Sequence, residues 1–394
     1  MADSAPARRA VVIGGGVVGA ACAQMLSRRG CRVTVVEAGV VGGGATAAGM
    51  GHLVVMDDSP AQLALTSRSL ELWEALAPQL PARAEYRSCG TVWVASDEEE
   101  LCAVQPKQAA YHAAGRAAEL LGAADLARLE PDLRPGLAGG LRVPGDSVVY
   151  APVVAKFLLE RSGAELVRCR AAALVPGGVR LEDGRVVRAD LTVVAAGLQA
   201  TELLPELPLR PRRGQLVITE RMGDLPGARV RHQLIELGYL KSAHGSDEDS
   251  VAFNVQPRAT GQLLIGSSRQ FSSPSAPHFG PQTPGSGTPG REIDWPLLRR
   301  MLDRAVDYLP GLSQAAALRV WTGVRAASPD HLPIIGAHPE RAGVYLAVGH
   351  EGLGITTALG TAEVLDAQLG GPTSPLGAHD FSAGRPGLWQ VAHA

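Results

Sequence analysis

This chain has few aromatic residues, little net charge and few long apolar runs. Phe, Trp and Tyr make up 4% of the 394 residues, and 37 Lys and Arg nearly balance 39 Asp and Glu. This balance provides no basic field for nucleic acid. The apolar stretches near residues 10–26 and 191–198 are too short or too interrupted by glycine to cross a membrane, and the first lacks a signal-peptide cleavage site. We therefore expect a cytoplasmic protein with no membrane span and no nucleic-acid partner.

Cysteine and histidine lack the spacings of metal sites. The five cysteines are scattered without a CxxC pair, and the ten histidines show no HxH or HxxxH spacing. An odd cysteine count in an intracellular setting favours free thiols. We expect no metal ion and no iron–sulfur cluster held by this chain.

Glycine, by contrast, is abundant, and it dominates the start of the chain. Residues 9–37 read RAVVIGGGVVGAACAQMLSRRGCRVTVVE, a β-type run, a glycine turn, a helical stretch and a second β-type run that ends at Glu37. Gly14 permits a tight turn, Gly16 lets a pyrophosphate approach the backbone, and Gly19 lets helix and strand pack closely. The amino end of the helix would face the phosphates, and Glu37 would accept hydrogen bonds from a ribose. This order predicts an adenine dinucleotide site; a glycine-rich turn in an ordinary βαβ unit does not account for Glu37.

A second group of small residues follows at 42–51, GGGATAAGMG. Beside a dinucleotide site, such residues favour a loop or helix start pressed against the cofactor. The alternative, a flexible linker, would normally carry more serine and charge.

The rest of the chain mixes helical and strand patterns. Helices are predicted where capping residues precede apolar periodicity, and strands where β-branched residues alternate between turn signals. The predicted helices cover about 60–77, 98–121, 123–129, 295–309 and 355–369, and the strands 90–95, several within 165–197, 214–220 and 251–268. The Pro-, Gly- and Ser-rich stretch 272–290 is predicted to be a mobile surface insertion.

Several motifs, taken in order, resemble the superfamily of D-amino-acid oxidase, glycine oxidase and sarcosine oxidase flavoproteins. They are GGGVVGAA, GATAAGM, VVAAG, PRRGQ, QLLIGSSR, WTGVRAASPDHLPIIG and AVGHEGLGIT. The resemblance spans nearly the whole chain. The GHEGLGIT element looks most similar to the flavin (beta) subunits of bacterial D-hydroxyproline dehydrogenase and opine oxidase.

The resemblance implies an α/β fold in which a Rossmann-like FAD-binding domain is interleaved with an antiparallel-sheet substrate domain. The FAD-binding domain would comprise residues 1–85, 142–210 and 315–394. The substrate domain would comprise 86–141 and 211–314, including the flexible insertion.

The resemblance also implies non-covalent FAD, because no cysteine lies near the last flavin motif. A helix amino end behind the flavin would stabilise the anionic reduced ring. The implied FAD-binding residues are Gly14, Gly16, Val18, Gly19, Glu37, Ala38, Gly44, Ala45, Thr46, Gly49, Met50, Ala195, Ala196, Gly197, Gly352, Leu353, Gly354, Ile355 and Thr356.

Arg325 stands at the arginine of the family's Gly-x-Arg-Pro motif, which grips the substrate carboxylate. A guanidinium offers a planar fork that matches two carboxylate oxygens. Ala326 replaces the usual proline, which could leave the loop less rigid. The alternative is a surface or ion-paired arginine.

Three further side chains are candidates for the pocket. His350 could be catalytic or a structural histidine bonded to backbone, and His52 follows the second glycine cluster. Asn254, together with Gln256, could line the far side of the pocket or point outward from its strand.

The expected reaction is oxidation of the carbon–nitrogen bond of a small amino or imino acid (D-hydroxyproline-, opine- or glycine-like) by hydride transfer to flavin. Positioning would carry most of the catalysis. The chain would be the flavin subunit of a dehydrogenase, with partner subunits that carry an iron–sulfur cluster or a second flavin. The alternatives are a stand-alone glycine or D-amino-acid oxidase that makes hydrogen peroxide, or a flavoprotein without an amine substrate, such as a tRNA-modifying protein.

Overall fold

The computed structural model describes residues 7–223, 225, 227–238, 249–271 and 292–389. The predicted insertion at 272–290 lies outside these residues. The helices are α1 (Val17–Arg28), α2 (Ala45–Ala48), α3 (Pro60–Leu76), α4 (Glu98–Ala113), α5 (Ala123–Leu129), α6 (Ala151–Ser162), α7 (Ala200–Leu203), α8 (Trp295–Tyr308), α9 (Gly354–Gln368) and α10 (Ala378–Phe381). Among the described residues, no helix combines the length and apolarity that a membrane crossing requires.

Strands account for most of the remaining regular structure. They are β1 (Arg9–Ile13), β2 (Arg32–Glu37), β3 (His52–Leu53), β4 (Thr91–Ala95), β5 (Glu119–Gly122), β6 (Gly139–Val143), β7 (Ser147–Val148), β8 (Glu165–Arg168), β9 (Ala171–Val175), β10 (Gly178–Leu181), β11 (Val186–Arg188), β12 (Leu191–Val194), β13 (Arg210–Arg221), β14 (Gln233–Glu236), β15 (Ser250–Pro257), β16 (Gln262–Phe271), β17 (Ala317–Ala327), β18 (Ile334–Ala337) and β19 (Val344–Val348).

A six-stranded sheet contains the amino-terminal glycine motif. Its order is β18-β19-β12-β1-β2-β8, and every pair is parallel except β18 with β19. Residues 10–13 of β1 and all of β12 are buried, which is typical of central parallel strands covered on both faces. Helix α1 packs against both α6 and α9.

The second large sheet has eight strands in the order β17-β13-β16-β15-β14-β4-β6-β5. Its pairs are antiparallel except β14 with β4. Buried Trp93 and Ile235 of this sheet share one apolar cluster with Val12 of β1 and Leu26 of α1. The predicted fold class, a Rossmann-like sheet interleaved with a largely antiparallel one, is confirmed.

Two local predictions were wrong. The helix predicted to reach residue 121 ends at Ala113, and Gly115 follows with a left-handed φ of 72°. Residues 119–122 instead pair with β6 as an edge strand. Strand β17, assigned by sequence to the FAD-binding segment 315–394, pairs with β13 in the eight-stranded sheet. Pairing between strands that are separated along the chain depends on tertiary packing, and local sequence patterns do not predict it. The other domain boundaries stay a prediction.

Capping side chains explain why other helices begin where expected. Ser59 Oγ accepts a hydrogen bond from the Gln62 amide at 3.1 Å, and Pro60 occupies the first turn of α3. Asp294 Oδ1 accepts from the Leu297 amide at 2.9 Å and starts α8. Both are standard N-caps.

Asp146 is a fully buried acid in the turn between β6 and β7. Its Oδ1 accepts from the Val55 amide at 3.1 Å. Burial raises its pKa to about 7, although hydrogen bonds from Thr91 and Val55 act in the opposite direction. The folded protein therefore holds a proton on this group that the unfolded chain releases at lower pH.

Asp146→Asn should change how stability depends on pH. The pKa of Asp146 is higher in the folded protein than in the unfolded chain. Its stabilising contribution to the free energy of unfolding is therefore complete below the unfolded pKa and is lost as pH rises through about 7. The melting temperature of the variant should therefore rise relative to wild type between about pH 5 and about pH 8. Asp183→Asn is a control, since the lowered pKa of exposed Asp183 confines its effect to acid pH. If the difference in melting temperature between Asp146→Asn and wild type stays constant across this pH range, the prediction is contradicted.

Candidate functional site

The first element of the site is the glycine turn after β1. Gly14 has a φ of 106°, and its amide donates to the Val36 carbonyl oxygen at 2.8 Å. A Cβ on Gly14 would lie 2.5 Å from the Ala195 carbonyl oxygen, and one on Gly19 would lie 2.0 Å from the Gly14 carbonyl oxygen. Only glycine fits at both positions, so α1 starts in direct contact with the turn.

The amino end of α1 is open toward this turn. Its N-cap, Gly16, is extended (φ −68°, ψ 174°) and has no side chain to cap the helix. The Val17 amide donates to Thr46 Oγ1 at 3.1 Å, which brings α2 against the start of α1. The first-turn N–H groups and the helix dipole make this end suited to an anion.

Glu37 closes the turn from the end of β2. Its Oε2 accepts from the Gly15 amide at 2.6 Å, and its Oε1 accepts from the Gly39 amide at 2.7 Å. A carboxylate oxygen can accept more than one hydrogen bond, so the same carboxylate can also receive ribose hydroxyls.

The amino end of α9 reaches the same place from the far end of the chain. A Cβ on Gly354 would lie 3.9 Å from Val18 Cγ2, and one on Gly49 would lie 3.0 Å from Ile355 Cδ1. Thr356 Oγ1 donates to the His52 carbonyl oxygen at 2.9 Å. The structure thus brings together residues 14–19, 44–50 and 352–356, which the sequence had assigned to one cofactor.

One face of the eight-stranded sheet covers these loops. The Trp321 indole N–H donates to the Ala48 carbonyl oxygen at 3.3 Å, and a Cβ on Gly323 would lie 2.7 Å from Ala48 Cβ. Met50 packs against Leu216 of β13 and Leu264 of β16.

Arg325 lies between this face and the Gly352 loop. Its Nη1 donates to the carbonyl oxygens of Arg213 and Ser268, each at 3.3 Å. Its guanidinium lies over Gly214, where a Cβ would come within 2.6 Å of Nη2, and a Cβ on Gly352 would lie 3.8 Å from Arg325 Cδ. The predicted carboxylate-binding residue is therefore next to a predicted flavin loop.

The other three catalytic candidates differ in their surroundings. His350 Nε2 lies 2.9 Å from Thr361 Oγ1 of α9, and burial lowers its pKa to about 4. Burial, followed by the charge of Arg258, lowers the pKa of His52 to about 4 as well. Asn254 is 7% exposed and stands opposite Gly266. Both histidines are therefore neutral near pH 7, and the bond to α9 favours a structural role for His350.

Asn254 and His52 carry buried atoms that lack a hydrogen-bond partner among the described residues, Oδ1 and Nε2 respectively. Residues directly opposite in a sheet present their side chains to one face. Because a Cβ on Gly266 would contact Met50 Sδ at 3.1 Å, Asn254 shares the face that covers the second glycine cluster. Gln256, on the same strand, accepts at 3.1 Å from Nη1 of Arg258, which directly follows the end of β15.

Sequence reasoning missed an ion-paired group beside Arg325. Glu351 Oε1 accepts from Arg212 Nη1, and Glu351 Oε2 lies 2.9 Å from His331 Nδ1. Although burial acts to raise the pKa of Glu351, the hydrogen bond from His331 and the charge of Arg212 lower it to about 2. Arg212 and Glu351 both stand inside motifs already noted, PRRGQ and GHEGLGIT, but nothing local indicates that they meet.

The chain is similar to known proteins over most of its length. The profile of the DAO family, described as FAD dependent oxidoreductase, matches residues 9–368. Glycine oxidase of Geobacillus kaustophilus (strain HTA426) is 28% identical, over 87% of this chain and 88% of its own length. Hydrogen cyanide synthase subunit HcnC of Pseudomonas aeruginosa is also 28% identical, over 95% of each chain.

The fold of the chain is also similar to that of a solved structure. The crystal structure of glycine oxidase from Geobacillus kaustophilus superposes with a TM-score of 0.80 at 25% sequence identity, covering 95% of this chain and 98% of that one.

Gly16→Val should abolish retention of FAD. The Cβ would lie 3.3 Å from Thr46 Oγ1, and the two methyl groups would enter the space before the open end of α1. Gly122→Val is a matched control, because Gly122 is also an extended N-cap glycine (φ −74°, ψ 170°) but starts α5. The measurement is the ratio of flavin to protein absorbance after purification. A stoichiometric flavin content in Gly16→Val would refute the assignment.

Proposed function

Because the chain belongs to the DAO family of FAD-dependent oxidoreductases, we propose that it oxidises the carbon–nitrogen bond of a small amino or imino acid. The observation that carries the proposal is the position of Arg325, between the face of the eight-stranded sheet and the Gly352 loop. A carboxylate gripped there places the α-carbon next to the amino end of α9.

The residues present fit the cofactor. The cradle formed by Gly14, Gly16 and Gly19 excludes side chains, and the open end of α1 suits the pyrophosphate. Glu37 would hold the ribose, and the amino end of α9 would face the flavin. FAD, when bound, supplies the two-electron acceptor. The cysteines lie in or near α1, β4, α4 and β8 rather than in the loop at 349–356, so we propose that FAD is held without a covalent bond.

The protein's own part in the reaction is to position and desolvate the substrate. Arg325 would orient the carboxylate by a two-point hydrogen bond. Met50, Leu216 and Trp321 form an apolar wall beside it. The neutral histidines, with pKa values of about 4, bring no positive charge that would oppose a cationic reaction centre.

Arg325→Ala should weaken carboxylate binding while FAD content stays normal. Loss of one partner of a buried charge pair costs about 3 kcal/mol or more, which is on the order of a hundredfold in kcat/KM. Substrate amides should be poor for wild type and relatively less penalised in the variant. Arg180→Ala, an exposed arginine of β10 outside the eight-stranded sheet, is the control. Unchanged kinetics in Arg325→Ala would show that Arg325 does not bind the substrate carboxylate.

We further propose that the chain is the flavin subunit of a dehydrogenase that acts on D-hydroxyproline-, opine- or glycine-like substrates. The GHEGLGIT element supports this proposal, as does the HcnC relative, which is by name a subunit. Partner subunits would take the electrons through an iron–sulfur cluster or a second flavin.

A dye acceptor should therefore support faster turnover than oxygen in the isolated chain. Substrate bleaching of the flavin, dye reduction and peroxide formation would be measured on one preparation. The relatives named glycine oxidase favour a second candidate, a stand-alone oxidase. Peroxide formed at the full rate of substrate turnover would establish that alternative, whereas failure of every amino acid to bleach the flavin would point to a non-amine flavoprotein.

A further inference from the structure

Asn254 of β15 carries a buried side-chain amide in the eight-stranded sheet. The residue is 7% exposed, and its Oδ1 atom is buried without a hydrogen-bond partner among the described residues. A carbonyl oxygen that has lost its water and gained no donor is unfavourable in a folded protein. Because buried polar atoms are nearly always hydrogen-bonded, this oxygen is a candidate for binding a ligand.

The alternation of side chains along β15 determines the face on which Asn254 lies. Its neighbour Phe253 stacks on Tyr308 of α8, with ring centroids 4.4 Å apart. Its other neighbour, Val255, belongs to the same apolar cluster as Phe253 and Tyr308. Successive side chains of a strand point to opposite faces of the sheet. Asn254 therefore lies on the face opposite to α8.

A predicted cofactor loop borders that face. Asn254 is directly opposite Gly266 of β16, so the two residues share one face of the sheet. A Cβ on Gly266 would lie 2.8 Å from Leu216 Cδ2 and 3.1 Å from Met50 Sδ. Met50 ends the second group of small residues, which the sequence assigns to FAD. The position opposite Asn254 carries no side chain, and Asn254 therefore borders the region that Met50 and Leu216 line.

A second amide on the same strand shows what a structural role looks like. Gln256 is two residues along β15 and so lies on the same face as Asn254. Its Oε1 accepts from Arg258 Nη1 at 3.1 Å, and its Nε2 donates to Gln233 Oε1 at 3.5 Å. Gln256 is thus bonded within the protein, whereas among the described residues Asn254 Oδ1 is not. The contrast favours ligand recognition for Asn254.

We infer that Asn254 Oδ1 accepts a hydrogen bond from an N–H of the substrate amine. A carbonyl oxygen has lone pairs and no proton, so it recognises donors only. A substrate N–H satisfies this oxygen, whereas an oxygen atom in the same place leaves it unpaired. Asn254 thereby selects amines over molecules of the same shape that lack the N–H. The inference rests on the proposed function, in which the substrate is a small amino or imino acid, and it holds whichever group binds the carboxylate.

The test is equilibrium binding of two unreactive rings to the FAD-loaded protein, followed by the flavin absorbance spectrum. Pyrrole-2-carboxylate and furan-2-carboxylate have nearly the same shape, but the first has a ring N–H where the second has an oxygen. Neither has a saturated carbon from which hydride could leave. Because both carry the same carboxylate, the ratio of the two Kd values reports the N–H. Wild type should bind pyrrole-2-carboxylate at least about tenfold more tightly.

Asn254→Leu, which approximates the shape and removes the amide, should bring the ratio of Kd values close to one. Its melting temperature should equal or exceed that of wild type, because an unpaired buried oxygen is gone. Thr219→Val is the matched control. Thr219 of β13 is 2% exposed, and its Oγ1 accepts from the Leu263 amide at 2.9 Å. Loss of this paired hydroxyl should lower the melting temperature and leave the ratio unchanged.

The outcomes separate this inference from the proposed function. Wild type that binds neither ring, binds both equally or prefers furan-2-carboxylate overturns the inference without any variant. The inference is also overturned if Asn254→Leu keeps the wild-type ratio, or if it loses FAD, which would assign Asn254 to the cofactor. The proposed function is judged separately, by bleaching of the wild-type flavin with amino acids. If amino acids bleach the flavin while the ratio is one, the proposed function stands and the role of Asn254 fails.

Discussion

The constraint on which the rest of the site depends is the contact of backbone with backbone at Gly14 and Gly19. A Cβ on Gly19 would lie 2.0 Å from the Gly14 carbonyl oxygen, and one on Gly14 would lie 2.5 Å from the Ala195 carbonyl oxygen. Because of these contacts, the start of α1 packs directly against the residues that follow β1 and β12. The start of α9 then lies beside Val18, so two helix amino ends face one space. Helix dipoles that converge in this way favour an anionic ligand.

Glycine serves a second purpose on the opposite side of the site. Gly214 and Gly323 are paired on neighbouring strands and leave the sheet without side chains at that point. The Arg325 guanidinium lies over Gly214, and Ala48 of α2 packs against Gly323. A larger residue at either position would separate the sheet from the loops, so the contact between the two units depends on small residues on both sides.

Much of the local structure could be predicted because its causes are local. The Ser59 and Asp294 caps start helices where expected, and the glycine spacing at 14–19 specifies a turn before a helix. The end of α4 was missed because the residues after Gly115 pair with β6, which is distant in sequence. Strand β17 was misassigned for the same reason, since its partner β13 lies about a hundred residues earlier.

The sequence alone determined the glycines and the terminal acid that a dinucleotide site requires, since these are recognisable by spacing and chemistry, whereas the prediction for Arg325 depends on the resemblance to the family's Gly-x-Arg-Pro motif. Only the tertiary structure decided which of them meet. The strand register places Arg212 beside Arg325, and the loop after β19 brings Glu351 to Arg212 across more than a hundred residues of chain. Ion pairs and sheet registers of this kind arise from packing between distant segments, and no local pattern encodes them.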